Sequence, residues 1–306
     1  ITFHVDSRQN RSGWQNRDEI GMCELRQQLA EMVAREGGIT CNFNATVFGN
    51  TIQHVADIVD WAQRNIDIVN AVIFMCYREG ALDRFDYFAG RAKIDPRPLG
   101  YVKESRAERT DIAAPELVAH IRGRQPDFQP CAYLNGTESP DSFKWLFATR
   151  IGTKRRIHGY MGPKGMELTT ILHHWKRGRY MIHPPRKDMA RGRGLLLLLS
   201  IFDPEMRRAL WRWLRSPGDW LLRLHLQGVQ FIQPIDIQPD GRQSMCDGCP
   251  DMTPYKGRLV WSCRLEECLS HGRFLPTVPT QSEAQSGVGA EPAASAHSSG
   301  SPALVE

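Results

Sequence analysis

The sequence predicts an α/β protein: the later strands of a partial (β/α) barrel, then a mixed, largely helical region, then a Cys-rich metal-binding C-terminal segment. Three observations predict it. Strand-like and helix-like periodicities alternate through the first quarter of the 306-residue chain. The early strands are apolar on one face and polar on the other. Four cysteines crowd into 23 residues near the end. The expected division is a barrel portion over 1–130, a basic helical region over 131–235, the Cys-rich segment over 236–275 and a disordered tail over 276–306.

Residues 2–6 alternate as a strand, and Glu19 to Arg35 carries an apolar stripe of Ile20, Cys23, Leu25, Leu29, Met32 and Val33 at helical spacing. Gly37-Gly38 ends that helix, because glycine adopts the left-handed cap conformation without steric penalty. A second strand over 39–47 leads to a helix over Thr51–Asn65, with Asn50 as the expected cap. A third strand runs from Ile68 to Tyr77. Strands and helices alternating at this spacing specify parallel pairing with right-handed crossovers. A doubly wound sheet and a barrel both satisfy that rule, and the polarity of the strands separates them. A sheet covered on both faces reads as continuous apolar runs. Here Cys41, Phe43, Ala45 and Val47 alternate with Thr40, Asn42, Asn44 and Thr46, and Phe3 and Val5 with His4 and Asp6. In the third strand Asn70, Cys76 and Arg78 share a face with Ile68, Val72 and Phe74. A polar barrel lumen fits this pattern; a solvent-exposed sheet face gives it too.

Residues 79–115 are rich in charge, proline and glycine and read as an excursion, closed by a short helix over Pro115–Arg122. Asp141–Thr149 and Leu168–Lys176 are expected as helices, and Leu195–Phe202 as a buried segment. Asp203-Pro204-Glu205 opens a further helix through Leu214, Pro217-Gly218 breaks it, and Trp220–Gln227 is expected to continue as another. Arg207, Arg208, Arg212, Arg215 and Arg223 accompany Trp211, Trp213 and Trp220 there. That is the profile of an interfacial helix; buried tryptophans behind an arginine face give the same string.

With 41% hydrophobic and 24% charged residues the chain matches globular averages, which excludes collagen-like and wholly disordered classes. No apolar run approaches the ~18 residues of a transmembrane helix. The formal net charge is +5, yet between Arg150 and Gly194 twelve Lys or Arg face only Glu167 and Asp188. Such a 150–194 block suits contact with nucleic acid or a peripheral membrane surface, and a solvated loop-rich face equally. Residues beyond Pro276 are Ser, Ala, Gly, Pro and Gln with little apolar bulk to offset their entropy.

Eight cysteines without a secretory leader point to reduced thiols or metal ligands and a cytoplasmic setting. Cys246, Cys249, Cys263 and Cys268 spell C-x2-C-x13-C-x4-C, and thiolates at this spacing suit zinc or an iron–sulfur cluster. His271 is an alternative to Cys268 as fourth ligand. Cys23, Cys41, Cys76 and Cys131 are scattered and read as packing residues.

The stretch Asp240-Gly-Arg-Gln-Ser-Met-Cys246-Asp-Gly-Cys249-Pro-Asp-Met-Thr253, with Val260-Trp-Ser-Cys263-Arg-Leu-Glu-Glu267, resembles the tail of a group of bacterial radical S-adenosylmethionine proteins. The opening His4-Val-Asp6-Ser-Arg-Gln9 and the strand Asn42-Phe-Asn44-Ala-Thr-Val47 resemble later strands of the same partial barrel, so the likeness spans about residues 1–275. The resemblance implies a six-stranded partial barrel and a [4Fe-4S] cluster (4Fe-4S) on a C-x3-C-x2-C loop. It also implies reductive cleavage of S-adenosylmethionine to a 5′-deoxyadenosyl radical and a reductant protein as partner. These 306 residues contain no C-x3-C-x2-C. In the family that loop follows the first strand, so it is expected ahead of Ile1, which itself opens mid-strand as in a fragment. What the resemblance leaves for this chain is an auxiliary cluster on Cys246, Cys249, Cys263 and Cys268. His4, Asp6, Asn42, Asn44 and Arg78 become candidates to contact S-adenosylmethionine or the substrate by their position on the polar strand faces. Without the cluster trio the chain is expected to be inactive alone. The competing expectation is a zinc-binding regulatory or nucleic-acid-binding protein that uses the basic block, and a third is a peripheral membrane scaffold.

Overall fold

The structure is a computed structural model, and it describes residues 1–77, 80–81, 84–99, 102–103, 112–138, 143–178 and 186–280. The expected parallel start is present. Strands β1 (Thr2–His4), β2 (Asn42–Val47) and β3 (Ala71–Cys76) pair in parallel, connected by helices α1 (Met22–Glu36) and α2 (Val55–Arg64). Gly37 and Gly38 both take φ near +70° and end α1. Asn50 is no cap: its side-chain oxygen accepts from Arg8 Nη2 at 3.2 Å, and a 3-10 turn over Ile52–His54 precedes α2 instead. Helix α3 (Ala114–Arg124) has Pro115 in its first turn, and Glu116 reaches back to accept the Ala113 amide at 3.0 Å.

The rest of the sheet departs from the expectation of three strands and a helical middle. Residues 143–152 form a strand rather than a helix, and so do residues 225–232. With β4 (Ala132–Asn135), β5 (Phe143–Gly152), β6 (Ile157–Tyr160) and β7 (His225–Ile232), the central sheet has seven strands in the order β1-β2-β3-β7-β5-β6, with β4 also on β5. β7 lies parallel to β3, while β5 runs antiparallel to β7, β4 and β6. The segment 131–235 therefore supplies four of the seven strands as well as helices. The physical reason is visible in Phe143, Trp145 and Phe147, which alternate with Lys144, Leu146 and Ala148. A period of two over bulky side chains favours a pleated strand over a helix.

Helices α1, α2 and α3 all pack on one face of this sheet. Their Met22, Val33, Val59 and Leu117 share a core with Phe43, Phe74, Phe231 and Leu146. Cys76 belongs to that core, not to a polar face, and buried Asn70 serves the backbone by accepting the Cys41 amide at 3.0 Å. Arg26 is buried at the start of α1 and donates to Glu19 (2.6 Å) and to the Val5 carbonyl (2.7 Å), which pins the helix beside β1.

Helices α4 (Pro163–Arg177), α5 (Gly192–Ser200) and α6 (Pro204–Leu214) build a second core with Ile151 and Leu226. Those two residues pair across β5 and β7 and alternate onto the opposite face. Asp203 caps α6 by accepting the Met206 amide at 2.9 Å and also accepts the Gly165 amide of α4 at 2.7 Å. Leu195–Phe202 is not wholly buried: Leu197, Leu198, Ile201 and Phe202 are exposed. Nor does Trp220–Gln227 continue as a helix, since a 3-10 turn over Pro217–Asp219 leads into β7.

The C-terminal portion hangs on the sheet through short strands. Asp236–Ile237 pairs with Gln243–Ser244, and Met252–Tyr255 forms a hairpin with Arg258–Trp261. The hairpin turns at Lys256 and Gly257, both at positive φ, the geometry that matches the strand twist. Helix Leu265–His271 follows. The expected tail is ordered at its start, because Thr277–Pro279 pairs with Phe85–Ala89; residues 281–306 lie outside the described residues. Among the described residues no helix is long and apolar enough to cross a membrane.

Candidate functional site

All four parallel strands end at one edge of the sheet, where β5 begins and β4 stops. Open α/β sheets place their ligands at this carboxyl edge. Here the registers align His4, Asn44, Ile73, Gln230 and Phe147 in one row. Thr46, Met75, Ile232 and Trp145 form the next row toward the edge. Both rows face away from α1, α2 and α3.

Asp6 stands just beyond β1 and is almost fully buried. Its carboxylate meets His4 Nε2 at 2.8 Å and accepts the amides of Arg8 at 3.0 Å and Thr46 at 3.3 Å. Burial opposes its charge, but the His4 contact and the two amides outweigh burial and hold the carboxyl below its ordinary value. His4 Nε2 also lies 3.1 Å from Thr46 Oγ1. Asn42 is buried near Thr2, with a long 3.5 Å contact to its hydroxyl, and Asn44 Nδ2 lies 3.0 Å from Met75 Sδ. His4, Asp6, Asn42 and Asn44 are thus brought together on one side of the sheet. Arg78 lies outside the described residues.

Three side-chain atoms of these rows are buried and make no hydrogen bond: Asn44 Oδ1, Gln230 Oε1 and Trp145 Nε1. A buried polar atom without a partner costs about 1–3 kcal/mol, so such atoms on one face ask for a polar group between them. Gln230 and Trp145 escape a sequence reading because their strands were expected as helices. The alternation in Phe143–Gly152 and the aromatic, β-branched run Val229–Ile232 were the available signals.

The cysteine segment is fastened to the same edge. Cys246 bridges to Gly136 just past β4, Asp247 donates its amide to Asn135 O at 3.0 Å, and Thr137 donates its amide to Met245 O at 2.8 Å. Gly248, at φ +64°, lets the loop turn so that Cys249 faces back. Asp251 ties the second cysteine segment to the first, its carboxylate accepting from Ser262 Oγ at 2.9 Å and its carbonyl from the Ser262 amide at 3.2 Å.

The thiols of Cys246 and Cys249 act on each other: sharing one proton lowers Cys249 to about 7 and raises Cys246, and Cys249 Sγ donates to Asp251 O at 3.5 Å. Cys263 is exposed as a residue, yet its thiol is shielded, and that desolvation with the charge of Cys249 pushes it up to about 11. Lys144, fully buried and bonded to Pro234 O (3.0 Å) and Asp236 (2.5 Å), favours a thiolate at Cys246. Cys268 stands apart, buried in its helix with Glu267 and Arg264 acting on its thiol. All eight cysteines are free thiols.

Among the described residues no three His, Cys, Asp or Glu side chains are placed to hold a metal ion together. The donors fit a thiophilic metal in kind: three thiols within electrostatic reach of one another, with a mutual repulsion that a bound cation would reverse. No protein-family model matches the chain, and no curated protein shows significant similarity to it.

Proposed function

We propose that this chain is the later part of a radical S-adenosylmethionine enzyme, with an auxiliary iron–sulfur centre at Cys246, Cys249 and Cys263. On this reading the four parallel strands are the later half of a partial (β/α) barrel. The observation that carries it is the mutual electrostatic influence of Cys246, Cys249 and Cys263 at the carboxyl edge of the sheet, whose rows also hold the unpartnered atoms of Asn44, Gln230 and Trp145.

The order of the first strands supports the barrel. β1, β2 and β3 advance in one direction with α1 and α2 on one face, whereas a doubly wound sheet reverses its order. Helices α4, α5 and α6 cover the opposite face around Ile151 and Leu226; toward the carboxyl edge that face holds buried polar atoms without partners, and S-adenosylmethionine is rich in the groups they lack. It would present donors to Asn44 Oδ1 and Gln230 Oε1 and an acceptor to Trp145 Nε1. The Asp6 carboxylate, charged at neutral pH, would hold His4 and Thr46 in place beside it. The auxiliary centre, when bound, would supply electron transfer or a substrate anchor, held by the thiolates of Cys246, Cys249 and Cys263. The radical-generating cluster has no ligands among these 306 residues, so none is assigned.

Anaerobic reconstitution with iron and sulfide tests this reading. Iron with labile sulfide, lost in Cys246→Ser and Cys249→Ser, is the expected result. Stoichiometric zinc without iron would instead make the site a zinc knuckle. The reconstituted chain with dithionite is expected to form no 5′-deoxyadenosine above background; formation would place a radical-generating cluster on these cysteines.

A further inference from the structure

Helices α5 and α6 and the turn after them carry apolar side chains that the other described residues leave exposed. Ile201, Phe202, Trp211, Leu214 and Trp220 are exposed, and Leu221 is 95% exposed. These residues lie on α5, α6 and the turn that follows, and arginines hold that turn. Arg193 donates to the Leu222 carbonyl at 2.8 Å and to that of Trp220, and its guanidinium lies 5.9 Å from the Trp213 ring centre. Trp220 Nε1 donates to Trp213 O at 3.1 Å, and Arg207 donates to the carbonyls of Ser200 (3.1 Å) and Ile201 (3.0 Å).

The charge on this surface has one sign. From Arg191 to Arg223 there are seven arginines and three acids. Asp203 is buried as a cap, Asp219 is buried against Arg156 and His158, and Glu205 pairs with Arg208. Arg193, Arg207, Arg215 and Arg223 meet no carboxylate among the described residues. Between the start of α5 and residues 221–224 lies a groove of 450 Å³ lined by Arg191, Arg193 and Arg223 beside Leu221.

We propose that this surface docks the protein on an anionic lipid bilayer. Ile201, Phe202, Trp211, Trp220 and Leu221 would enter the interface, and Arg193 and Arg223 would engage lipid phosphates, while Arg191 pairs with Asp188 at 3.8 Å. Apolar and aromatic side chains next to unpaired arginines match the demands of a charged interface, where the apolar groups leave water and the cations meet headgroups. A second copy of the chain fits less well, because arginines would face arginines. Single-stranded nucleic acid offers bases to stack on tryptophans but nothing to receive Leu221, Ile201 and Leu214.

Vesicle flotation of the full chain tests this, with phosphatidylcholine vesicles with and without phosphatidylserine. Binding only to the phosphatidylserine vesicles is expected. It should weaken about fivefold for each of Arg193→Gln and Arg223→Gln and at least about tenfold for Leu221→Asp. Because Leu221 is exposed, its variant should keep the wild-type circular dichroism and melting temperature. Equal binding to neutral vesicles, or no binding, would overturn the proposal. So would self-association abolished by Leu221→Asp, or oligonucleotide binding indifferent to it, in the absence of lipid binding.

Discussion

Arg150 on β5 and Gln227 on β7 are register partners, wholly buried, with the guanidinium Nε donating to the amide oxygen at 2.8 Å. The guanidinium also donates to Val59 O at 2.7 Å, while Gln227 Nε2 donates to the carbonyls of Ala62 (2.8 Å) and Val69 (2.7 Å). Two polar side chains thus join the antiparallel strand β5 to the parallel part of the sheet and to α2. Burial pulls Arg150 down to about 10, and its Nη1 has no hydrogen-bond partner.

Gln227→Leu is expected to destabilise the fold by about 3–5 kcal/mol, because it leaves a buried charge unserved. The double variant Arg150→Met with Gln227→Leu should recover most of that loss. Urea unfolding of the two variants checks it; equal losses would mean that packing, not charge, sets the cost.

Asp6 gives a pH dependence with a definite sign. Its folded pKa lies below the ordinary 3.8, so its stabilisation is complete above that value and is lost as pH falls through the lower folded pKa. Urea midpoints measured from pH 5 downward should fall more steeply for the wild type than for Asp6→Asn. Parallel curves would show that Asp6 gains nothing from His4, Arg8 and Thr46.

Gln230→Met should stabilise the ligand-free chain by about 1 kcal/mol, since it removes a buried oxygen that has no donor. The same change should weaken S-adenosylmethionine binding in a calorimetric titration. Lower stability with unchanged binding would separate Gln230 from the ligand face.

The cysteines should divide three to one. Cys263→Ser is expected to lower the iron content after reconstitution, as Cys246→Ser and Cys249→Ser do, whereas Cys268→Ser should retain it. Iron and sulfide analysis with the visible absorption spectrum checks each variant. Loss of iron in Cys268→Ser would mean that the helix Leu265–His271 swings in to provide a fourth ligand.

The front of the fold was legible because β1, β2 and β3 follow their helices closely, so local periodicity and pairing agree. Strand β7 could not be read in that way. It joins β3 across some 150 intervening residues, and its neighbour β5 falls within Asp141–Thr149, a span expected as a helix. The spacing of Cys246, Cys249 and Cys263 was legible in the sequence. The separation of Cys268 was not, because the Arg264–Glu267 ion pair, at 2.6 Å and buried, draws that helix toward Leu275. The orphaned Gln230 and Trp145 needed the register of strands distant in sequence.

The strand Thr277–Pro279 lies along Phe85–Ala89, and Leu275 packs against Tyr87 and Leu99 just before it. Any shortened version for expression should therefore run through Thr280. A stop codon ahead of Thr277 would strip the edge from Phe85–Ala89 and leave a sticky, unpaired border open to proteolysis and clumping.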